Sequence, residues 1–278
     1  MRHRIPTPYR SLTQRPPAGL GNPTLLVFLA AVTTSMVSTV GAVTWRVPLA
    51  IAGTINGLCI YALYTVTHEA VHGTAHPHHA INRWLGRVAA GLQIMTFPMF
   101  RAIHLQHHAF TNDPQRDPDH VIGRKPRWLL PLWLAVRLTH DNAFMLRHRL
   151  WTGRRGIREH VVTIALQAGT MLCATALGYG QAVLLLWLAP VIVAGAILHL
   201  TVGWLVHSPH ASQHPLENTR SFPGLIWQCL TFSQNYHLVH HLWTNIPWFR
   251  YSAAAELAAA VVAEHRASLP PHHASPGH

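Results

Sequence analysis

Eight histidines in three short motifs are the residues of this sequence best suited to chemistry. The motifs are HEAVH, HLQHH and HLVHH, and the last two share the spacing H-x-x-H-H. The histidines are His68, His72, His104, His107, His108, His237, His240 and His241. Residues three and four positions apart lie on one face of a helix, so each motif can direct its imidazoles at one point. Imidazole binds iron, zinc, copper and nickel, and eight ligands exceed the four of a tetrahedral ion, so the motifs predict two metal ions close together.

HEAVH also matches H-E-x-x-H, the zinc-protease pattern in which two histidines bind zinc and Glu69 would act as the general base. Such a site needs only one further protein ligand, so this interpretation leaves both H-x-x-H-H motifs unexplained. A metal carrier would place its ligands within membrane spans, where only His199 lies. The histidines could also be ordinary polar residues at a membrane surface, but the repeated spacing favours metal binding.

The composition indicates an integral membrane protein. Only 11% of the 278 residues are charged, against roughly a quarter in soluble domains, and 49% are hydrophobic. Four apolar runs, each about 20 residues long, can cross a hydrocarbon core of about 30 Å. They cover about 24–44, 47–67, 161–180 and 182–206. The short links within each pair predict two hairpins, and therefore an all-α fold with four transmembrane helices.

The distribution of positive charge predicts which side of the membrane each segment occupies. Of the 21 Lys and Arg residues, 4 precede residue 24, 13 lie in 68–160 and 3 follow residue 206, while Arg46 alone lies on the opposite side. The positive-inside rule then places both termini and the middle region in the cytoplasm. The histidine motifs would lie at the cytosolic membrane face, in a helical cap. We interpret the net charge of +12 as this topology and expect no nucleic-acid partner.

These features divide the chain into three parts: a cytosolic N-terminal segment (1–23), a membrane domain (24–251), and a C-terminal helix with a tail (252–278). The three cysteines are isolated and form no CxxC pair, which argues against a disulfide framework and an iron–sulfur cluster. The sequence also contains no P-loop and no GxGxxG motif. A redox enzyme with this sequence would therefore need a separate electron donor.

The three motifs, in their order, spacing and predicted topology, resemble the membrane fatty acid desaturase and hydroxylase superfamily over about residues 45–251. The stretches HLQHHAFTNDPQRDPDH and NYHLVHHLWTNIPWFRY are most similar to beta-carotene 3-hydroxylases and short bacterial desaturase-like proteins. One departure is Glu69, where carotene hydroxylases usually have aspartate. Bacterial acyl-lipid desaturases share much of the second motif, so the substrate branch stays open.

The resemblance implies an O2-dependent oxidoreductase with two iron ions held mostly by histidine. O2 would be the co-substrate, and ferredoxin or another reductase system would supply electrons. The reaction would hydroxylate or desaturate an unactivated C–H site of a lipidic substrate that enters from the bilayer. Carotenoid ring hydroxylation is favoured, fatty acyl desaturation is the alternative, and an intramembrane zinc protease is a more distant alternative.

Further site residues are expected around the motifs. Members of the superfamily usually add a ligand just after the fourth span, where His207 and His210 compete and His207 directly follows the span. Six polar residues could orient the ligating imidazoles. They are Glu69, Asn112, Asp113, Asp117, Asp119 and Asn235. His199 is an ionisable residue within the fourth span, so we expect it to be functional, as a ligand or as part of a pocket wall.

Overall fold

Helices form every regular element in the part of the chain that the computed structural model describes, residues 5–123, 128, 133–151 and 153–268. This confirms the predicted all-α class. In chain order the α-helices are α1 (Pro23–Thr44), α2 (Leu49–His72), α3 (His79–Leu92), α4 (Phe97–Phe110), α5 (His120–Gly123), α6 (Trp133–Arg147), α7 (Gly153–Ala174), α8 (Gly180–Val183), α9 (Ala189–Leu198), α10 (Leu225–Leu230), α11 (His237–Leu242) and α12 (Tyr251–Ser268). Shorter 3₁₀ turns cover Thr7–Thr13, Gln234–Tyr236 and Trp248–Arg250, and π-helical stretches cover Thr175–Tyr179, Leu184–Leu188 and His199–Leu205.

The first hairpin, α1 and α2, ends in the first histidine motif. α1 begins at Pro23, behind Asn22, whose side-chain oxygen accepts hydrogen bonds from two amides of the first turn. An asparagine cap followed by proline is a strong helix start. α2 runs to His72, beyond the predicted limit at residue 67, and ends only at Gly73, where φ is 78°. His68 and His72 therefore lie on the last turns of a long helix.

A second hairpin is formed by the helical backbone of Gly153–Leu205, which reverses direction near Gly178. Gly178 has a φ of 90°, a left-handed value that glycine adopts without strain. The side chains of Gln167 and Trp187 both donate hydrogen bonds to backbone carbonyls in the turn at 91–95. Since residues on either side of Gly178 reach the same turn, the chain doubles back there.

By length and composition, three of the described helices can cross a membrane: α1, α2 and the Gly153–Leu205 stretch. The bent pair α3 and α4 passes the same criterion as one broken span, with an angle of 100° between its halves. A straight helix of 53 residues would measure about 80 Å. This length far exceeds one bilayer, in agreement with the reversal at Gly178.

α2 is the packing centre of the membrane region, with α1, α3 and α9 packed against it. Its close contact with the Leu184–Leu188 stretch depends on Gly53, because a Cβ atom there would collide with a backbone carbonyl of that stretch. The side-chain amide of Asn56 donates to the carbonyl of Leu186 at 2.8 Å. These contacts set the register in which the C-terminal end of α2 and the end of the second hairpin meet.

The remaining helices cover the end of the bundle where the histidine motifs lie. α4 carries the second motif, and α11 carries the third. α12 packs on α11 through an apolar cluster that includes Val239, Tyr251 and Ala254, each fully buried. This cluster ties the C-terminal helix directly to the third motif. The predicted tail after residue 268 lies outside the described residues.

Candidate metal centre

Nine of the ten candidate ligand histidines come together in two adjacent groups. In each group, one ring nitrogen of every histidine lies within 4.8 Å of the others. The five-histidine group consists of His68, His72, His104, His108 and His240. The four-histidine group consists of His107, His207, His237 and His241. The rings of His108 and His241, one from each group, have centroids 4.2 Å apart, so the two groups share a border.

Each H-x-x-H-H motif contributes to both groups. In α4, His104 and His108 belong to the five-histidine group and His107 belongs to the other. In α11, His237 and His241 belong to the four-histidine group, and His240 belongs to the five-histidine group. On an α-helix, position i+4 is rotated by roughly 40° from position i, whereas i+3 is rotated by roughly 60° in the opposite direction. The spacing therefore sends a pair of imidazoles to one group and a single imidazole to its neighbour.

The spacing of the ring nitrogens fits metal ligation. Nε2 of His104 lies 2.9 Å from Nε2 of His72 and 3.0 Å from Nε2 of His108. In the four-histidine group, the Nε2 atoms of His207 and His237 are 3.1 Å apart. Two nitrogens about 2.1 Å from one ion, at right angles to each other, are about 3 Å apart. The lone pairs of each group can therefore converge on a single cation.

Burial favours the neutral, metal-binding form of four of the clustered imidazoles. Desolvation lowers the pKa of His207, His237, His240 and His241 well below the ordinary value, and neighbouring imidazoles lower these pKa values further. Both ring nitrogens of His68, and Nδ1 of His207 and His237, are buried without a hydrogen-bond partner among the described residues. Buried polar atoms of this kind are uncommon and call for an explanation. A bound metal ion would provide one for a single ring nitrogen of His68.

Asp117 supports the four-histidine group through His107. The imidazole Nδ1–H of His107 donates to Asp117 Oδ1 at 2.9 Å. The carboxylate also accepts the amides of Asn112 at 2.7 Å and Asp119 at 2.8 Å. A carboxylate on Nδ1 fixes the ring and leaves Nε2 for a metal. Asp119 Oδ2 lies 3.7 Å from the same Nδ1, so two of the predicted supporting residues flank His107.

Glu69 lies behind the five-histidine group rather than within it. Its Oε2 accepts the amide of Trp248 at 3.2 Å, and its Oε1 lies 3.3 Å from the hydroxyl of Tyr251. Oε1 is also 3.7 Å from Nδ1 of His68. The carboxylate is fully buried and held by these partners. This position suits a residue that orients ligands, whereas a protease base would face the metal and the substrate.

The other predicted supporting residues act on loops rather than on imidazoles. The side-chain amide of Asn112 donates to backbone carbonyls of residues 212 and 218, which ties the loop after α4 to the loop after the last span. Asn235 donates to the carbonyl of Phe222. Asp113 binds the guanidinium of Arg116, which lowers the pKa of this carboxyl to about 2. None of these bonds involves a clustered histidine.

Of the two histidines after the last span, only His207 reaches a group. The His210 ring is 6.1 Å from the His207 ring and packs so closely on Gly123 that a Cβ atom there would collide with it. His199 is outside both groups as well. Its Nδ1 donates to the carbonyl of Gly195 at 2.7 Å, and its side chain lines the cavity described next.

A cavity of about 500 Å³ adjoins both groups. Its lining includes His104 of one group and three histidines of the other, with Asp119 beside them. From there it extends between α2 and the last span, past Ile60 and Leu188, and most of its lining is apolar. Ile192 lines the cavity and is 44% exposed, so the cavity reaches the outer surface of the helices. An elongated apolar molecule could enter there and present one C–H bond to the histidines.

Two supporting residues were not identified from the sequence. Tyr251 bonds both His240 and Glu69, and the hydroxyl of Thr111 lies 3.4 Å from Nδ1 of His241. Both are ordinary residues without a motif of their own. The only signal was position, because Thr111 follows the second motif and Tyr251 closes the stretch that carries the third.

Comparison with known proteins agrees with this site. The family model described as fatty acid desaturase matches residues 44–273. Dihydrorhizobitoxine desaturase of Bradyrhizobium elkanii is 26% identical over 252 residues, covering 75% of this chain and 67% of the relative. Zeaxanthin 4-ketolase of Chlamydomonas reinhardtii is 25% identical, covering 70% of this chain but 41% of the relative. Human sphingolipid delta(4)-desaturase/C4-monooxygenase DES2 is 27% identical, covering 81% and 67%.

The matched region includes all three histidine motifs, α2 and the second hairpin. The relatives are named as desaturases, ketolases and a monooxygenase, all of which are oxidoreductases. The family model covers most of the chain. The three histidine motifs that resemble this family are also the ones that form the two histidine groups. Both observations lead to the same assignment. The chain is an oxidoreductase and belongs to the fatty acid desaturase family.

Proposed function

We propose that this chain holds two irons, one in each histidine group, and uses O2 to oxidise an unactivated C–H bond of a lipidic substrate. The division of nine histidines into two adjacent groups that border a largely apolar cavity carries this proposal. A zinc protease would need three protein ligands and a free general base. Glu69 is held by Tyr251 and Trp248 instead.

Each part of the chain has a distinct task in this reaction. The nine imidazoles would hold the irons, which supply the O2 chemistry when bound, while Asp117 and Glu69 fix the orientation of ligands. The apolar cavity wall would align the substrate and exclude water from the reacting carbon. Hydroxylation consumes one O2, two electrons and two protons and yields an alcohol and one water. With the same inputs, desaturation yields an alkene and two waters.

The electrons would come from a separate protein, such as a ferredoxin with its reductase. The sequence has no cysteine cluster and no dinucleotide motif, so a donor in trans is the simplest source. We place its docking site and the histidine groups at the cytosolic face, because the positively charged segments adjoin that end of the bundle.

We favour a carotenoid ring as the substrate. Among the relatives are zeaxanthin and beta-carotene 4-ketolases, and the cavity can receive one ring while the polyene extends through the opening near Ile192 into the bilayer. A fatty acyl chain is the second candidate, because other relatives are named as desaturases and the cavity is elongated.

Product analysis separates these substrates. Cells that express the protein with a ferredoxin system would be supplied with beta-carotene or with saturated fatty acids under ¹⁸O2. We expect a carotenoid product that carries labelled oxygen on its ring, absent from cells that express His240→Ala. A new double bond in the acyl chains without labelled oxygen would favour the second candidate. If the protein is expressed in the membrane with both metals bound and neither lipid class gives a new product, the proposed function is contradicted.

We further propose four membrane spans with both termini in the cytoplasm. The spans are α1, α2 and the two arms on either side of Gly178, so the α3–α4 pair would dip into the cytosolic leaflet without crossing it. A reporter fused after residue 278 should score as cytoplasmic, and one inserted in the 178–181 loop should score on the opposite side. Both scores reversed would contradict this arrangement and favour α3–α4 as an additional span. The same score for both positions would contradict it as well, because the arm after Gly178 would then not cross the membrane.

A further inference from the structure

The five-histidine group is supported by a buried chain of hydrogen bonds that begins at Glu69. Glu69 Oε1 accepts from the hydroxyl of Tyr251 at 3.3 Å, and the Tyr251 oxygen lies 2.8 Å from Nδ1 of His240. At the other side of the ring, Nε2 of His240 is 2.8 Å from Nε2 of His108, inside the group. Glu69, Tyr251 and His240 are all fully buried, so water does not compete for these bonds.

The chemistry of these groups fixes the direction of the chain. A carboxylate only accepts, and a tyrosine hydroxyl has a single proton. When that proton is donated to Glu69, the Tyr251 oxygen must accept from Nδ1–H of His240. The imidazole then has its lone pair on Nε2, which faces the other ligands.

We infer that Tyr251 is a positioning residue that sets the tautomer and orientation of His240, with Glu69 as the terminal acceptor. The inference rests on the proposed metal centre and adds a residue to it that acts through His240. It also accounts for the position of α12, whose first residue is Tyr251. Packing of α12 on α11 places the phenol directly behind the ligand. Within this scheme Asp117 acts on His107 directly, whereas Glu69 acts on His240 through an intervening tyrosine.

Tyr251→Phe removes the hydroxyl and keeps the buried ring. The apo-protein would be titrated with cobalt(II), and the absorption bands of bound cobalt would report each site. The wild-type chain should bind two equivalents. In Tyr251→Phe, one site should bind about 10–100-fold more weakly, while the affinity of the other site stays unchanged. Selective loss at one site is a result that general destabilisation does not produce.

Tyr236→Phe is the matched control. Tyr236 is buried in the same apolar cluster as Tyr251, and no hydrogen bond of its hydroxyl is found among the described residues. It should bind both cobalt ions as the wild type does. Equal affinity of the wild type and Tyr251→Phe at both sites would overturn the inference. So would equal weakening of both sites in Tyr251→Phe and Tyr236→Phe.

Glu69→Gln provides a second test that does not depend on how well Tyr251→Phe folds. Its amide would donate to the Tyr251 oxygen, which would let the hydroxyl donate to Nδ1 of His240 and move the imidazole proton to Nε2. Cobalt should bind more weakly at the same site. The double variant should bind cobalt there no more weakly than Tyr251→Phe alone, since both changes break the same chain of hydrogen bonds. Additive losses would overturn the inference. Binding of fewer than two cobalt ions by the wild type would instead contradict the proposed metal centre.

Discussion

Replacing His240 with alanine should remove metal from the five-histidine group and reduce O2-dependent turnover to background. His240 is fully buried, its ring lies 4.3 Å from that of His68 and 4.6 Å from that of His108, and its Nε2 is 2.8 Å from Nε2 of His108. No other imidazole of α11 points into this group. The variant therefore loses the only ligand that connects the third motif to the first.

To test this, the iron content per chain and the turnover would be measured for the wild type, His240→Ala and Glu69→Gln. Glu69→Gln should keep measurable activity, because loss of a residue that orients a ligand typically costs about 10–100-fold. A zinc protease would show the reverse, with Glu69→Gln inactive and His240→Ala still loaded with metal. His79→Ala is the control, since His79 is exposed and lies outside both groups. Full iron and normal turnover in His240→Ala would end the two-metal assignment.

Asp117→Asn should have the second-largest effect, on the four-histidine group. One carboxylate oxygen of Asp117 accepts from His107 and from the Asp119 amide, and the other accepts from the Asn112 amide. In Asp117→Asn the side-chain NH2 replaces one of these two oxygens. It then faces either the donors from His107 and Asp119 or the donor from Asn112, and a donor cannot bond another donor. An unsatisfied buried donor costs about 1–3 kcal/mol. We therefore expect a lower melting temperature and a metal affinity about 10–100-fold lower at this group.

Asp113→Asn is the matched control for Asp117→Asn, because both carboxylates lie in the same loop. Asp113 Oδ1 accepts two backbone amides that asparagine can still bond, and the bond to Arg116 is partly exposed. Loss of an exposed ion pair of that kind has little effect on stability. Iron content and melting temperature should stay close to wild type. The account would be wrong if both variants lost iron equally, or if Asp117→Asn kept both irons at wild-type affinity.

The sequence indicated which histidines come together, because helical geometry is local. Their role as ligands stays a prediction. The spacing H-x-x-H-H, the apolar runs and the distribution of positive charge can all be read within short windows. The all-α class and the reversal near Gly178 follow from the same kind of information. The predicted apolar span of about 47–67 did not define the helix end, because α2 continues through the polar residues of the first motif to His72.

Features that depend on contacts between distant segments could not be read in this way. The choice of His207 over His210 depends on how the chain turns after Leu205, where His210 packs against Gly123. The role of Tyr251 depends on the packing of α12 behind α11, and the sequence contains no local sign of it. The split of each motif between two groups depends on how α4 and α11 face each other across the bundle.

The central claim, two metal ions held by nine histidines, is tested most directly by the wild-type arm of the His240 experiment. Elemental analysis of the protein purified in detergent after expression with iron should give close to two irons per chain and little zinc. Mössbauer spectra of the same sample should show coupled high-spin irons. One zinc per chain with no iron would contradict the account and revive the protease interpretation of HEAVH.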